Sequence, residues 1–66
     1  MDAGKTGAYL AALRRARGMT QQEAADQLGV SNKTVSKWEN GAGLPDITVL
    51  PALAELYGVT ADDILA

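Results

Sequence analysis

Apolar positions recur at helical spacing along the whole chain, and no stretch alternates with a period of two. Leu10, Leu13, Arg14 and Arg17 fall at i, i+3, i+4 and i+7 and predict a first helix from about Thr6 or Gly7 to Arg17. Gly18 stops it. Thr20-Gln21-Gln22-Glu23 is a capping-box sequence, so a second helix starts there and runs to about Leu28, with Ala24, Ala25 and Leu28 on one side and Gly29 at its end. Ser31 is the expected N-cap of a third helix, from Asn32 to Glu39 or Asn40. Residues 40–45 (Asn-Gly-Ala-Gly-Leu-Pro) read as a loop. Asp46 is then expected to cap a fourth helix that reaches Tyr57 and buries Ile47, Leu50, Leu53, Ala54 and Tyr57. Pro51, which lacks an amide for Ile47, should kink that helix or tighten its first turn. Thr60 caps a short fifth helix carrying Ile64 and Leu65. The pattern predicts an all-α fold of five short helices, with a flexible arm over residues 1–5 and one domain over residues 6–66.

Composition narrows what such a fold can do. Of 66 residues 47 % are apolar, but twelve of these are alanine, and the aromatics are only Tyr9, Trp38 and Tyr57. A domain of this size buries only about 60 % of its unfolded surface, which leaves no room for a large internal ligand cavity. Cysteine and histidine are both missing. Disulfides, thiolate nucleophiles and Cys/His zinc sites are therefore excluded, as is the usual acid–base residue of neutral pH. No cofactor or metal is expected, and no enzymatic activity. The lack of disulfides suits a reducing compartment such as the cytoplasm, and no apolar run is long enough for a membrane span. Gly4-Lys5-Thr6 resembles the end of a phosphate-binding loop, but the preceding glycine and strand are missing.

The formal net charge of −2 argues against a polyanionic partner until its distribution is considered. Residues 1–38 hold all six basic side chains against three acids, a net +3; residues 39–66 hold five acids and no base, a net −5. Exposed charges separated by more than about 8 Å are largely screened at physiological salt, so a positive face can act independently of an acidic far side.

The third helix supplies that face. At about 100° per residue, Asn32, Ser36, Asn40, Lys33 and Lys37 fall within an arc of about 140°. Thr34, Val35, Trp38 and Glu39 lie on the other side. The outward arc carries amides, a hydroxyl and ammonium groups, with no carboxylate to repel phosphate. These groups read base edges in a major groove: Asn pairs with adenine, Lys donates to guanine and Ser does either. Helix, glycine-containing turn and helix over residues 20–39 form the helix-turn-helix pattern. Gln21 and Gln22 stand at the second helix's first turn, where free amides and a partial positive charge favour a phosphate. Arg15 and Arg17 are also available to phosphate.

These residues, together with Thr20-Gln21, Ala25, Leu28-Gly29-Val30-Ser31, Val35-Ser36-Lys37-Trp38-Glu39-Asn40-Gly41, Leu44-Pro45 and Tyr57-Gly58-Val59, resemble the phage-repressor-like (XRE-type) helix-turn-helix family over residues 6–65. The resemblance implies a compact five-helix, lambda-repressor-like DNA-binding domain. It implies base contacts by Asn32, Lys33, Ser36 and Lys37, and phosphate contacts by Gln21 and Asn40. It further implies an ion pair between Arg14 and Glu39. That pair is also sensible from the residues alone, because Arg14 falls on the inward stripe of the first helix, where an unpaired charge is costly.

Two features depart from the family pattern. Ala42-Gly43 stands where relatives often place a basic side chain, and only Lys5 could serve as a basic arm. Val49, Ala52 and Leu56 form a second apolar strip on the fourth helix, a candidate contact surface or a widened core face. The expected working form is a homodimer on two operator half-sites about 34–36 Å apart. The expected function is sequence-specific duplex-DNA binding by a transcriptional regulator, a repressor acting by steric occupation. The alternative is a protein-interaction module that keeps the fold without DNA. A minimal regulator and the reading head of a longer chain both fit the sequence.

Overall fold

The computed structural model describes residues 2–66, which form five helices: α1 (Ala3–Ala16), α2 (Gln21–Leu28), α3 (Asn32–Glu39), α4 (Leu50–Tyr57) and α5 (Ala61–Leu65). There is no strand among the described residues. The domain measures 25 × 23 × 22 Å. Leu10 of α1, Ala25 of α2, Val35 and Trp38 of α3, Leu50, Leu53 and Tyr57 of α4, and Ile64 of α5 make one continuous core.

Local sequence sets most of the boundaries. Thr20 Oγ1 accepts from the Glu23 amide at 3.0 Å, and Glu23 Oε1 accepts from the Thr20 amide at 2.9 Å, closing the capping box. Gly29 ends α2 at φ +71°, in the left-handed region where a side chain is unfavourable. Ser31 Oγ accepts from the Thr34 amide at 3.2 Å to start α3. A second capping box, Thr60 with Asp63, starts α5.

Two boundaries differ from the sequence expectation. The first helix begins at Ala3, not at Thr6 or Gly7, with Asp2 Oδ1 accepting from the Lys5 amide at 3.0 Å. Residues 3–5 are thus helical and do not form an arm, while Met1 of that expected arm lies outside the described residues. Gly4 and Gly7 weigh against helix by propensity, but the aspartate cap and the packing of α1 on α3 outweigh them.

The fourth helix begins at Leu50, not after Asp46. The Asp46 carboxylate accepts from both the amide (2.9 Å) and the hydroxyl (3.0 Å) of Thr48, which closes a separate turn instead of capping the helix. Pro51 then sits in the first helical turn, where its missing N–H leaves no bond unmade, so the helix starts there without a kink. Ile47, expected in the core, projects from this turn and is 78 % exposed.

Candidate nucleic-acid interface

The outward face of α3 is open. Asn32, Lys33, Lys37 and Asn40 are exposed and Ser36 is half-buried, while Val35 and Trp38 on the opposite side are buried in the core. Gln21, Asn32, Lys33, Ser36, Lys37, Asn40 and Ala42 line one shallow groove. All four residues expected to contact bases, and two of the four expected to contact phosphate, therefore share a single surface without a carboxylate among them. Asn40 Nδ2 donates to Ser36 Oγ at 3.3 Å, linking the first of these groups to the last turn of the helix.

The other two candidates lie elsewhere. Gln22 Nε2 donates to Asp26 Oδ1 at 2.8 Å on the exposed side of α2. Arg17, at the end of α1, lines a separate depression with Gln27, Ala52, Glu55 and Leu56. Of the second apolar strip on α4, Val49 and Leu56 are half-buried against the core and only Ala52 is exposed, so it is chiefly a widened core face.

Behind the groove lies a buried polar clamp. Arg14 Nε donates to Glu39 Oε2 at 2.8 Å and Nη2 to Oε1 at 3.0 Å, with the two side chains only 10 % and 5 % exposed. Arg14 Nη1 donates to the Met19 carbonyl at 2.8 Å, and Gln21 Nε2 donates to Glu39 Oε1 at 3.0 Å. Helices α1, α2 and α3 are thus tied through one carboxylate. The hydrogen bond to Glu39 raises the Arg14 pKa further against the cost of burial. Burial alone would push Glu39 up, but the hydrogen bonds from Arg14 and Gln21, with the positive charge of Arg14, hold it below its ordinary value. Gln21 is consequently oriented from inside the protein while still facing the groove, which its place in the sequence did not reveal.

Gly7 was also missed as a structural residue. It is buried where α1 crosses α3, and a Cβ on it would collide with the Trp38 carbonyl oxygen and lie 3.0 Å from that of Glu39. The available signal was its position: Gly7, Leu10, Ala11 and Arg14 form the inward i, i+3, i+4, i+7 stripe of α1.

Comparison with known proteins agrees with this architecture. A family model described as helix-turn-helix matches residues 10–64. The chain belongs to the phage-repressor-like, XRE-type helix-turn-helix family. This helix-turn-helix domain is similar to the HTH-type transcriptional activator BcrR of Enterococcus faecalis, with 39 % identity over 82 % of this chain and 26 % of the relative. It is similar to the HTH-type transcriptional regulator ImmR of Bacillus subtilis, with 37 % identity over 89 % of this chain and 46 % of that protein. It also resembles the restriction-modification controller protein C.AhdI from Aeromonas hydrophila, at a TM-score of 0.86 and 25 % identity, over 96 % of this chain and 91 % of that one. The helix-turn-helix chain spans about half or less of BcrR and ImmR, at 26 % and 46 % of their lengths. No helix among the described residues is long and apolar enough to cross a membrane.

Proposed function

We propose that the chain is a sequence-specific duplex-DNA-binding transcriptional regulator whose residues 32–40 enter the major groove. The observation that carries this reading is the acid-free groove shared by Asn32, Lys33, Ser36, Lys37, Asn40 and Gln21. In it, Asn32, Lys33, Ser36 and Lys37 read base edges, and Gln21 and Asn40 hold phosphates at the groove rim. Gln22 and Arg17, set apart from this surface, contribute to the phosphate field if the duplex curves toward them. Regulation by occupying an operator, which is repression, needs no cofactor and takes place with the DNA in the cytoplasm. The names of two relatives, the transcriptional activator BcrR and the transcriptional regulator ImmR, support the regulatory role. No residue is assigned a catalytic part.

A single copy presents only four base-reading side chains, so pairing on two half-sites supplies the rest of the specificity. Leu44 (44 % exposed), Ile47 and Leu65 (38 %) are the exposed large hydrophobic residues among those described, and they belong to the α4–α5 side and the loop before it, not to the groove of α3. Burial of Ile47 and its neighbours against a second copy leaves both reading helices uncovered. Sedimentation equilibrium is the check: Ile47→Glu should shift a concentration-dependent dimer toward monomer, and an unchanged association constant would remove this face from the dimer.

The test of DNA reading is a selection from a random duplex pool, followed by titration on the chosen site. Lys37→Ala and Asn32→Ala should each cost about 1–3 kcal/mol and relax preference at one base pair. Affinity should fall steeply with added salt as released counterions lose their entropic advantage. If both substitutions leave affinity untouched, the recognition face is wrongly assigned.

A further inference from the structure

The segment after α3 does more than end the helix. Gly41 takes φ +74°, its amide donates to the Trp38 carbonyl at 3.1 Å, and the Ala42 amide donates to the Lys37 carbonyl at 3.0 Å. This paired closure of a helix C-terminus folds the following residues back over the last turn, where a side-chain contact with the residue at position 37 accompanies it. Here that residue is Lys37. A Cβ placed on Gly43 would lie 3.2 Å from Lys37 Cε and 3.7 Å from its Cδ and Cγ, so the lysine stem runs along the glycine surface. The loop is backed in turn by α1: a Cβ on Gly41 would lie 3.1 Å from Gly4 Cα and 3.3 Å from Gly4 N. The amino-terminal end of α1 thus packs against the loop at Gly41, and the lysine stem packs against it at Gly43.

We propose that residues 41–43 are a shelf that fixes the reach of the Lys37 ammonium, and that Gly43 is a specificity-determining position acting through Lys37. The proposal rests on the assignment of Lys37 to base reading. An exposed lysine ordinarily samples many rotamers and meets a duplex as a mobile point charge, which suits phosphate better than one base edge. A stem already laid on the backbone of Gly43 has lost much of that freedom before DNA arrives, and its ammonium is presented from one direction into the groove beside Ser36 and Asn32. A Cβ at this position requires the lysine stem to give by a few tenths of an ångström. A larger residue pushes at the Cε end of the stem, where the displacement passes straight to the ammonium. The missing basic side chain at positions 42 and 43 then has a positive role: the loop contributes to recognition by placing a lysine of the helix instead of supplying one of its own.

The experiment is a double-mutant cycle in the intact chain. Wild type, Gly43→Val, Lys37→Ala and the double variant are titrated on the duplex selected by the wild type. They are also titrated on variants of the base pair that Lys37→Ala relaxes, with melting temperature followed in parallel. Gly43→Val should lower the preference for that base pair about three- to tenfold while leaving binding to random duplex within about twofold. Gly43→Ala should move it in the same direction by less. In the Lys37→Ala background Gly43→Val should have no further effect on preference. A preference unchanged by Gly43→Val, or a loss that persists when Lys37 is absent, overturns the shelf. A wild type that selects no duplex overturns the DNA reading itself and the shelf with it; a Lys37→Ala variant that relaxes no position overturns the shelf alone, by removing Lys37 from base reading.

Discussion

Arg14→Ala should remove most of the stability of this domain. Domains are stable by about 0.05–0.15 kcal/mol per residue, which for this length is roughly 3–10 kcal/mol in all. Arg14 donates to both oxygens of Glu39 and to the Met19 carbonyl. Its removal leaves a buried carboxylate whose remaining side-chain donor is Gln21. Breaking a buried pair from one side typically costs about 3–5 kcal/mol, because the remaining charge keeps its desolvation penalty without compensation. Thermal unfolding followed by circular dichroism is the measurement, and a fall of only a degree or two would show that the clamp does not hold the helices.

The same clamp sets an acid limit. Because the pKa of Glu39 is lowered by folding, the unfolded chain binds more protons than the folded one as pH falls through the range between the two values. Its contribution is complete above the ordinary carboxylate value of the unfolded chain and is lost as pH drops through the lower folded value. Glu39→Gln should therefore be less stable than wild type at neutral pH and show a shallower loss below pH 4; parallel acid limbs would contradict this.

Gly7→Ala should destabilise the domain although alanine is the better helix former. Propensity alone favours alanine by about 1 kcal/mol in a helix interior. Against that, the new methyl meets the backbone carbonyls of Trp38 and Glu39, which cannot rotate away as a side chain would. Relief requires α1 to move off α3, which strains the Arg14–Glu39 bonds that join the same two helices. Overpacking of a close-packed contact typically costs about 1–3 kcal/mol, and the upper part of that range applies where the obstacle is backbone. The sign decides the matter: a raised melting temperature for Gly7→Ala would mean that propensity governs this position and that the crossing of α1 over α3 has room to spare. Since α3 carries the proposed reading face, a destabilised variant should also bind its preferred duplex less well at temperatures where it remains folded.

Features encoded within a few residues are legible in the sequence. Thr20 with Glu23, Gly29, Ser31 and Thr60 mark their helix boundaries because a cap acts on amides two or three positions away. The division of α3 into an open polar side and a buried side with Val35 and Trp38 follows from the helical repeat alone. The pairing of Arg14 with Glu39 was implied by the family resemblance, and the residues agreed with it, since a charge on an inward stripe demands a partner.

What failed were choices between competing local partners and questions of distance across the fold. Asp46 could cap a helix or close a turn with Thr48, and its sequence neighbours suit both; the packing of Leu50 and Leu53 decided for the turn and left Ile47 in solvent. Asp2 could initiate a helix only if two glycines were tolerated after it, and that tolerance comes from contacts with the α3 and 41–43 backbone. Gln21 turned inward toward Glu39 because elements far apart in the chain came within reach of each other, whereas Lys37 settled on Gly43 through the closure of the α3 C-terminus. The chain's own pattern determined that there would be five helices and an uncovered polar side on the third. Only tertiary packing decided where the first and fourth helices begin, which glycines stand between backbones, and how the polar side chains are held, since periodicity carries direction around a helix and no information about separation between helices.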